Sequence, residues 1–87
     1  MKVYVIEDNP VYNDYVCNLL KKEGFDTMQA YHLSTARKLL AKAEDDDIVL
    51  ADLRLLDGES IDLLRWMRAN GKRQPLSLIH ISEPTRH

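Results

Sequence analysis

The stretch Ile48-Val49-Leu50-Ala51-Asp52-Leu53-Arg54-Leu55-Leu56-Asp57-Gly58 decides the fold. Its first four residues are apolar without a polar alternation, which is how a strand covered on both faces of a parallel sheet reads. The run closes on an acid, Asp52, and Asp57-Gly58 marks a turn shortly after it. An acid that follows Ile48-Val49-Leu50-Ala51 needs a partner or a task, because an unpaired buried charge costs several kcal/mol.

Working outward, the same signature opens the chain. Lys2 to Ile6 (KVYVI) is a β-branched and aromatic run that stops at Glu7-Asp8-Asn9-Pro10. Asn9 suits an N-cap and Pro10 the first position of a helix. Val11, Tyr12, Tyr15, Val16, Leu19 and Leu20 then recur at helical spacing, Lys21-Lys22 favour the helix end, and Gly24 stops it. Phe25 to Tyr31 reads as a second, weaker strand. Ser34 is placed to cap a second helix carrying Ala36, Leu39, Leu40 and Ala43, and Glu44-Asp45-Asp46-Asp47 reads as a solvated acidic loop. After the third strand, Ile61, Leu64 and Met67, with Leu63 beside them, line one face of a third helix that ends at Asn70-Gly71. The β-α-β-α-β-α order implies a parallel sheet with right-handed crossovers and helices on its faces.

Composition narrows the function. The chain has 87 residues, so it holds one domain at most. Its 45% apolar and 30% charged residues match a folded domain rather than a disordered one. A net charge of -2, from 12 basic and 14 acidic residues, argues against a dedicated nucleic-acid binder. The apolar runs are far too short to span a bilayer, and Met1 to Ile6 meets Glu7-Asp8 too early for a signal peptide. Cys17 is the one cysteine, which rules out an internal disulfide and a cysteine-based zinc site. The expected compartment is the cytoplasm.

Three acids carry the chemistry. Glu7 and Asp8 follow the first strand, and Asp52 ends the third. Ligands of parallel sheets bind outside the carboxyl ends of the strands. If the two strands are neighbours, these carboxylates converge and repel, unless they take up a proton or a divalent cation. Hard oxygen ligands select Mg²⁺, and one carboxylate beside it can act as a nucleophile toward phosphorus. Taken singly, Glu7 and Asp8 read equally well as helix-capping or solvated loop residues. Cys17, His32 and the Arg65-Trp66-Arg68 group read as ordinary structural residues.

Over residues 1–75 the sequence resembles the receiver domain of bacterial two-component response regulators. Val5-Ile6-Glu7-Asp8-Asn9 matches the family's acidic pair, and Ile48 to Gly58 matches its phosphoacceptor segment. The resemblance implies a flavodoxin-like (CheY-like) α/β sheet in the order 2-1-3-4-5, here incomplete, with three βα units. It implies Asp52 as phosphoacceptor and a Mg²⁺ site formed by Asp8, Glu7 (mainly through water), Asp52 and the backbone carbonyl of Arg54. It also implies a sensor histidine kinase or phosphotransfer protein as donor. The domain would be a signalling module rather than an enzyme, the N-terminal part of a longer transcriptional regulator. A DNA-binding output domain would lie outside this chain, and the receiver itself would touch neither nucleic acid nor membrane.

The sequence departs from the family in Leu56, where proline is frequent, and in Ser60, where a second glycine is frequent. The fourth strand's Ser or Thr has no assigned counterpart, although His80 and Ser82 lie near the required distance from Asp52, and the fifth strand's lysine is missing. Leu76 to Arg86 (LSLIHISEPTR) resembles the translation of a sequencing-library adapter. Residues 76–87 are therefore expected to be a non-native tail, whose alternation can imitate a fourth strand. Three further functions compete. An aspartate-nucleophile phosphatase would need an acid where Arg54 stands. A pseudo-receiver would bind partners without phosphorylation. A dinucleotide-binding unit would need glycines that Glu7-Asp8-Asn9-Pro10 does not offer.

Overall fold

A computed structural model of the chain describes residues 1–79. The strand β1 (Lys2–Ile6) is followed by helix α1 (Pro10–Lys22), β2 (Asp26–Ala30), α2 (Leu33–Leu40) and β3 (Ile48–Asp52). A two-residue ribbon, β4 (Arg54–Leu55) and β5 (Gly58–Glu59), precedes α3 (Ser60–Ala69) and β6 (Leu76–Ile79). The main sheet is parallel in the order β2-β1-β3-β6. Helices cover both of its faces, so the flavodoxin-like reading holds. His80 and Ser82 lie outside the described residues.

The strand pattern follows from burial on both faces. In β1, Val3 and Val5 meet Cys17, Val16 and Leu20 of α1, whereas Tyr4 and Ile6 join the larger core under α2 and α3. Leu33, Ala36, Leu40, Leu63 and Met67 fill that second core. A strand apolar at every position is what two covered faces require.

Helix α1 begins as its sequence indicates. The Asn9 side chain accepts the N–H groups of Val11 and Tyr12, and Pro10 occupies the first turn. Its end is a Schellman closure: Phe25 N–H donates to the Leu20 carbonyl and Gly24 N–H to that of Lys21, with Gly24 at φ 89°. Its packing face differs from the expectation. Val11, Tyr15 and Leu19 are exposed at 72%, 59% and 46%, and the buried line runs through Asn13 and Cys17. Apolar residues surround this helix on more than one side, so helical spacing alone could not select the inner face.

Two other local readings are corrected. Ser34 does not cap α2: the helix starts at Leu33, and His32 at the cap position makes no side-chain cap bond. Instead the carboxylate of Asp57, arriving from the β4–β5 turn, accepts the N–H groups of Leu33 at 2.8 Å and Ser34 at 3.2 Å. Nor is the acidic loop wholly solvated. Asp47 is buried and accepts Lys2 N–H at 2.8 Å, Glu44 N–H at 2.9 Å and the Tyr4 hydroxyl at 3.3 Å. Burial works to raise its pKa, but these donors and the N-terminal charge outweigh it and hold Asp47 below the ordinary carboxylate value. In α3, Leu63 and Met67 face the core while Ile61 is exposed.

Candidate functional site

Sheet register brings the acids together. β1 and β3 are adjacent and parallel, with Ile6 opposite Ala51. Glu7 and Asp52 are the next residues on each strand, so both emerge at the carboxyl edge of the sheet. Asp8 follows at the mouth of α1. One carboxylate oxygen from each of Glu7, Asp8 and Asp52 lies within 4.8 Å of the others, and no other such acid cluster occurs among the described residues. The three acids that sequence reasoning selected are thus one site.

Each acid meets a different environment. Glu7 is buried; its Oε2 accepts Asn9 N–H at 2.8 Å, and its Oε1 is buried without a hydrogen-bond donor among the described residues. Burial, a proton shared with Asp8 and the nearby charge of Asp52 push the Glu7 carboxyl up to about 8, against the pull of Asn9 N–H. Asp52 is 6% exposed and its Oδ1 accepts Leu53 N–H at 2.8 Å. Asp8 is half-buried. Three carboxyl groups share few donors here, a deficit that is plainest at the buried Oε1 of Glu7. Hard oxygen donors with that deficit fit a small divalent cation.

The surrounding scaffold includes one residue, Asn13, that the sequence did not flag. Asn13 is fully buried, and its Nδ2 donates to the carbonyls of Val5, Glu7 and Ala30 at 3.1–3.2 Å. It ties the ends of β1 and β2 to α1 directly behind Glu7. Gln29 Nε2 donates to Asn13 Oδ1 at 2.7 Å, fixing the amide orientation. A polar residue on the inner line of an amphipathic helix was the available signal. Ser60 is also buried; its N–H and Oγ both donate to the Leu53 carbonyl, at 3.1 and 3.2 Å. Arg54 lies in β4, inside the loop that Ser60 closes, and its side chain is exposed.

The chain is similar to known proteins. Residues 3–85 match the response regulator receiver domain family. The chain is 31% identical over 78 residues to response regulator protein PilR of Pseudomonas aeruginosa, covering 90% of this chain and 17% of that protein. It is 33% identical over 79 residues to the cell cycle transcriptional regulator CtrA of Caulobacter vibrioides, covering 91% and 34% respectively. A chemotaxis protein CheY homolog of Campylobacter jejuni is 26% identical over 83 residues, covering 94% of this chain and 64% of the homolog. The solved structure of the MaeR response regulator bound to beryllium trifluoride superposes with a TM-score of 0.81 at 33% identity, covering 95% of this chain and 69% of that one. The chain therefore spans a minor part of the larger regulators it matches. With the acids gathered where the sheet order predicts and the family match running over nearly the whole chain, this protein belongs to the response regulator receiver domain family.

Proposed function

We propose that this receiver domain accepts a phosphoryl group on Asp52 from a phosphohistidine of a sensor histidine kinase or phosphotransfer protein. The observation that carries the reading is the convergence of Glu7, Asp8 and Asp52 within 4.8 Å at the carboxyl edge of β1 and β3. An oxygen of Asp52 attacks phosphorus, a P–O bond forms, and the P–N bond of the phosphohistidine breaks with its electron pair returning to the imidazole. Asp8, Glu7, Asp52 and the Arg54 carbonyl would hold Mg²⁺, which when bound supplies neutralisation of the phosphoryl oxygens. Leu53 N–H, already on Asp52, orients the acceptor carboxylate.

The donor has a surface on which to sit. Val11, Tyr15 and Leu19 form an exposed apolar line along α1, starting three residues after Asp8. A kinase or phosphotransfer helix lying on that line carries its phosphohistidine to the acid cluster. Because CtrA is named a transcriptional regulator, we assign the parent protein a DNA-binding output domain outside this chain. No helix among the described residues is long and apolar enough to cross a membrane. We place the domain in the cytoplasm with its kinase partner.

The boundary near Pro75 belongs to the same proposal: residues 76–87 are adapter-derived rather than native. β6 pairs with β3 at the edge of the sheet and none of its four residues is buried, against one of five in β2 at the other edge. Sequencing the source gene across the Pro75 codon decides this, and an uninterrupted LSLIHISEPTR reading frame refutes it.

The functional test is labelling with radioactive acetyl phosphate and with a phosphorylated kinase. Label should require Mg²⁺ and vanish in Asp52→Asn. Tyr15→Asp should slow transfer from the kinase while leaving acetyl phosphate labelling unchanged. Undiminished labelling of the Asp52→Asn chain refutes the assignment.

A further inference from the structure

The loop between Asp52 and α3 is anchored at both ends by groups of different elements. At its start, Leu53 N–H binds Asp52 Oδ1, and the Leu53 carbonyl receives both donors of Ser60. At its tip, Asp57 receives Leu33 N–H and Ser34 N–H from α2. Between these anchors the β4–β5 ribbon pairs Arg54 with Glu59 and Leu55 with Gly58. The tip is also fixed sterically. A Cβ added at Gly58 would lie 2.8 Å from Leu33 Cδ1, and Leu33 is itself buried. Helix α2 has no side-chain cap of its own at His32, so Asp57 is the group that caps it. The Asp57 carboxyl sits below its ordinary value: burial works to raise it, and the N–H groups of Leu33, Ser34 and Asp57 itself, with His32 nearby, outweigh that.

We propose that Asp57 is a positioning residue for the acid pocket, holding the Asp52–Ser60 loop, which carries Arg54, against the N-terminus of α2 so that the loop keeps its place beside the acid cluster. The inference rests on the Mg²⁺ reading given above. A carboxylate that satisfies two helix N–H groups is a strong tether, because those donors have no intrahelical partners and carry the positive end of the helix dipole. The Leu53–Ser60 closure transmits that tether to Leu53 and Asp52 through a short, cross-linked ribbon. The coupling would run both ways: a cation held at Asp52 would shift the loop, and the loop would shift the amides of Leu33 and Ser34.

The test uses the full 87-residue chain, titrated with Mg²⁺ and followed by calorimetry and by amide NMR. In the wild type, the Leu33 and Ser34 amide resonances should shift along the same binding curve as Leu53. Asp57→Ala should weaken Mg²⁺ binding by about tenfold and abolish those remote shifts, as loss of an outer-sphere support does. Asp57→Asn keeps a helix-capping acceptor and should recover much of the affinity. Mg²⁺ binding by the wild type with the Leu33 and Ser34 amides unmoved overturns the inference and leaves the cation site standing. So does an Asp57→Ala chain that binds as tightly as wild type. Absence of any Mg²⁺ binding to the wild type overturns the cation reading and this inference with it. If Asp57→Ala fails to fold, the wild-type amide shifts and Asp57→Asn give the answer.

Discussion

Replacing Asp52 by Asn should stabilise the metal-free protein. Asn is nearly isosteric, and its Oδ1 can keep the 2.8 Å bond from Leu53 N–H. What it removes is charge. At pH 7 the Glu7 carboxyl, raised to about 8, is mostly protonated, so the repulsion that matters is between Asp52 and Asp8. Two unit charges at the 4.8 Å limit of the cluster repel by about 3.5 kcal/mol at an effective dielectric of about 20, and by about 0.9 kcal/mol in water. Asp52 is buried and Asp8 half-buried, so the gain on substitution falls at about 1–3 kcal/mol. Urea unfolding in EDTA measures it as a higher midpoint at unchanged slope. Mg²⁺ must then work against the variant. At tenfold excess over its Kd, a ligand of the native state adds about 1.4 kcal/mol to the wild type. The variant, short of one carboxylate, gains much less, so the gap between the two proteins narrows or reverses. An Asp52→Asn chain no more stable than wild type in EDTA refutes the repulsion argument. An equal Mg²⁺ gain in both proteins removes Asp52 from the cation site.

Glu7→Gln should alter the pH profile. A carboxyl whose folded pKa is raised to about 8 contributes stability below its ordinary value that is lost as pH rises through about 8. The metal-free wild type should lose stability between about pH 5 and 9, and the Gln variant should be flatter there in denaturant titrations. Asp47 has the opposite sign: its depressed pKa gives stability present above its unfolded value and lost as pH falls through its folded one. Asp47→Ala, which strands Lys2 N–H, Glu44 N–H and the Tyr4 hydroxyl, should cost about 3 kcal/mol at pH 7 and blunt the acid transition. Gly58→Ala combines a φ of 147° with a Cβ 2.8 Å from Leu33 Cδ1, and should cost about 1–3 kcal/mol in thermal unfolding.

How much the sequence disclosed depended on how local each cause was. β1, β3 and the Asn9-Pro10 helix start were legible because their signals lie in consecutive residues. The Glu7-Asp8-Asp52 site was legible because a parallel register turns two strand ends into one edge. The inner face of α1 was not, because Val11, Tyr15 and Leu19 match the helical period as well as Val16 and Leu20 do. The cap of α2 was not, because its acceptor, Asp57, is 24 residues from Leu33 and arrives only when the β4–β5 ribbon forms. Asp47 was hidden in the same way. It sits in a run of four acids that reads as solvated, and its partners Lys2 and Tyr4 are 45 and 43 residues away.

Burial does not distinguish the clustered acids from the others: Glu7, Asp47 and Asp52 are all buried. Donor supply does. Asp47 meets three donors from Lys2, Tyr4 and Glu44, and Asp57 meets two from the start of α2; both pKa values are lowered. Glu7 meets one donor on Oε2 and none on Oε1, with two further acids beside it, and its pKa is raised. A carboxylate already saturated with N–H and O–H groups gains little from a cation, because the cation would displace bonds it cannot replace. A donor-poor cluster is different: a cation is the partner that removes both its mutual repulsion and its unmet acceptors. Donor supply therefore marks the pocket at the ends of β1 and β3 as the candidate site, whereas Asp47 and Asp57, well supplied with donors, hold the surrounding loops in place.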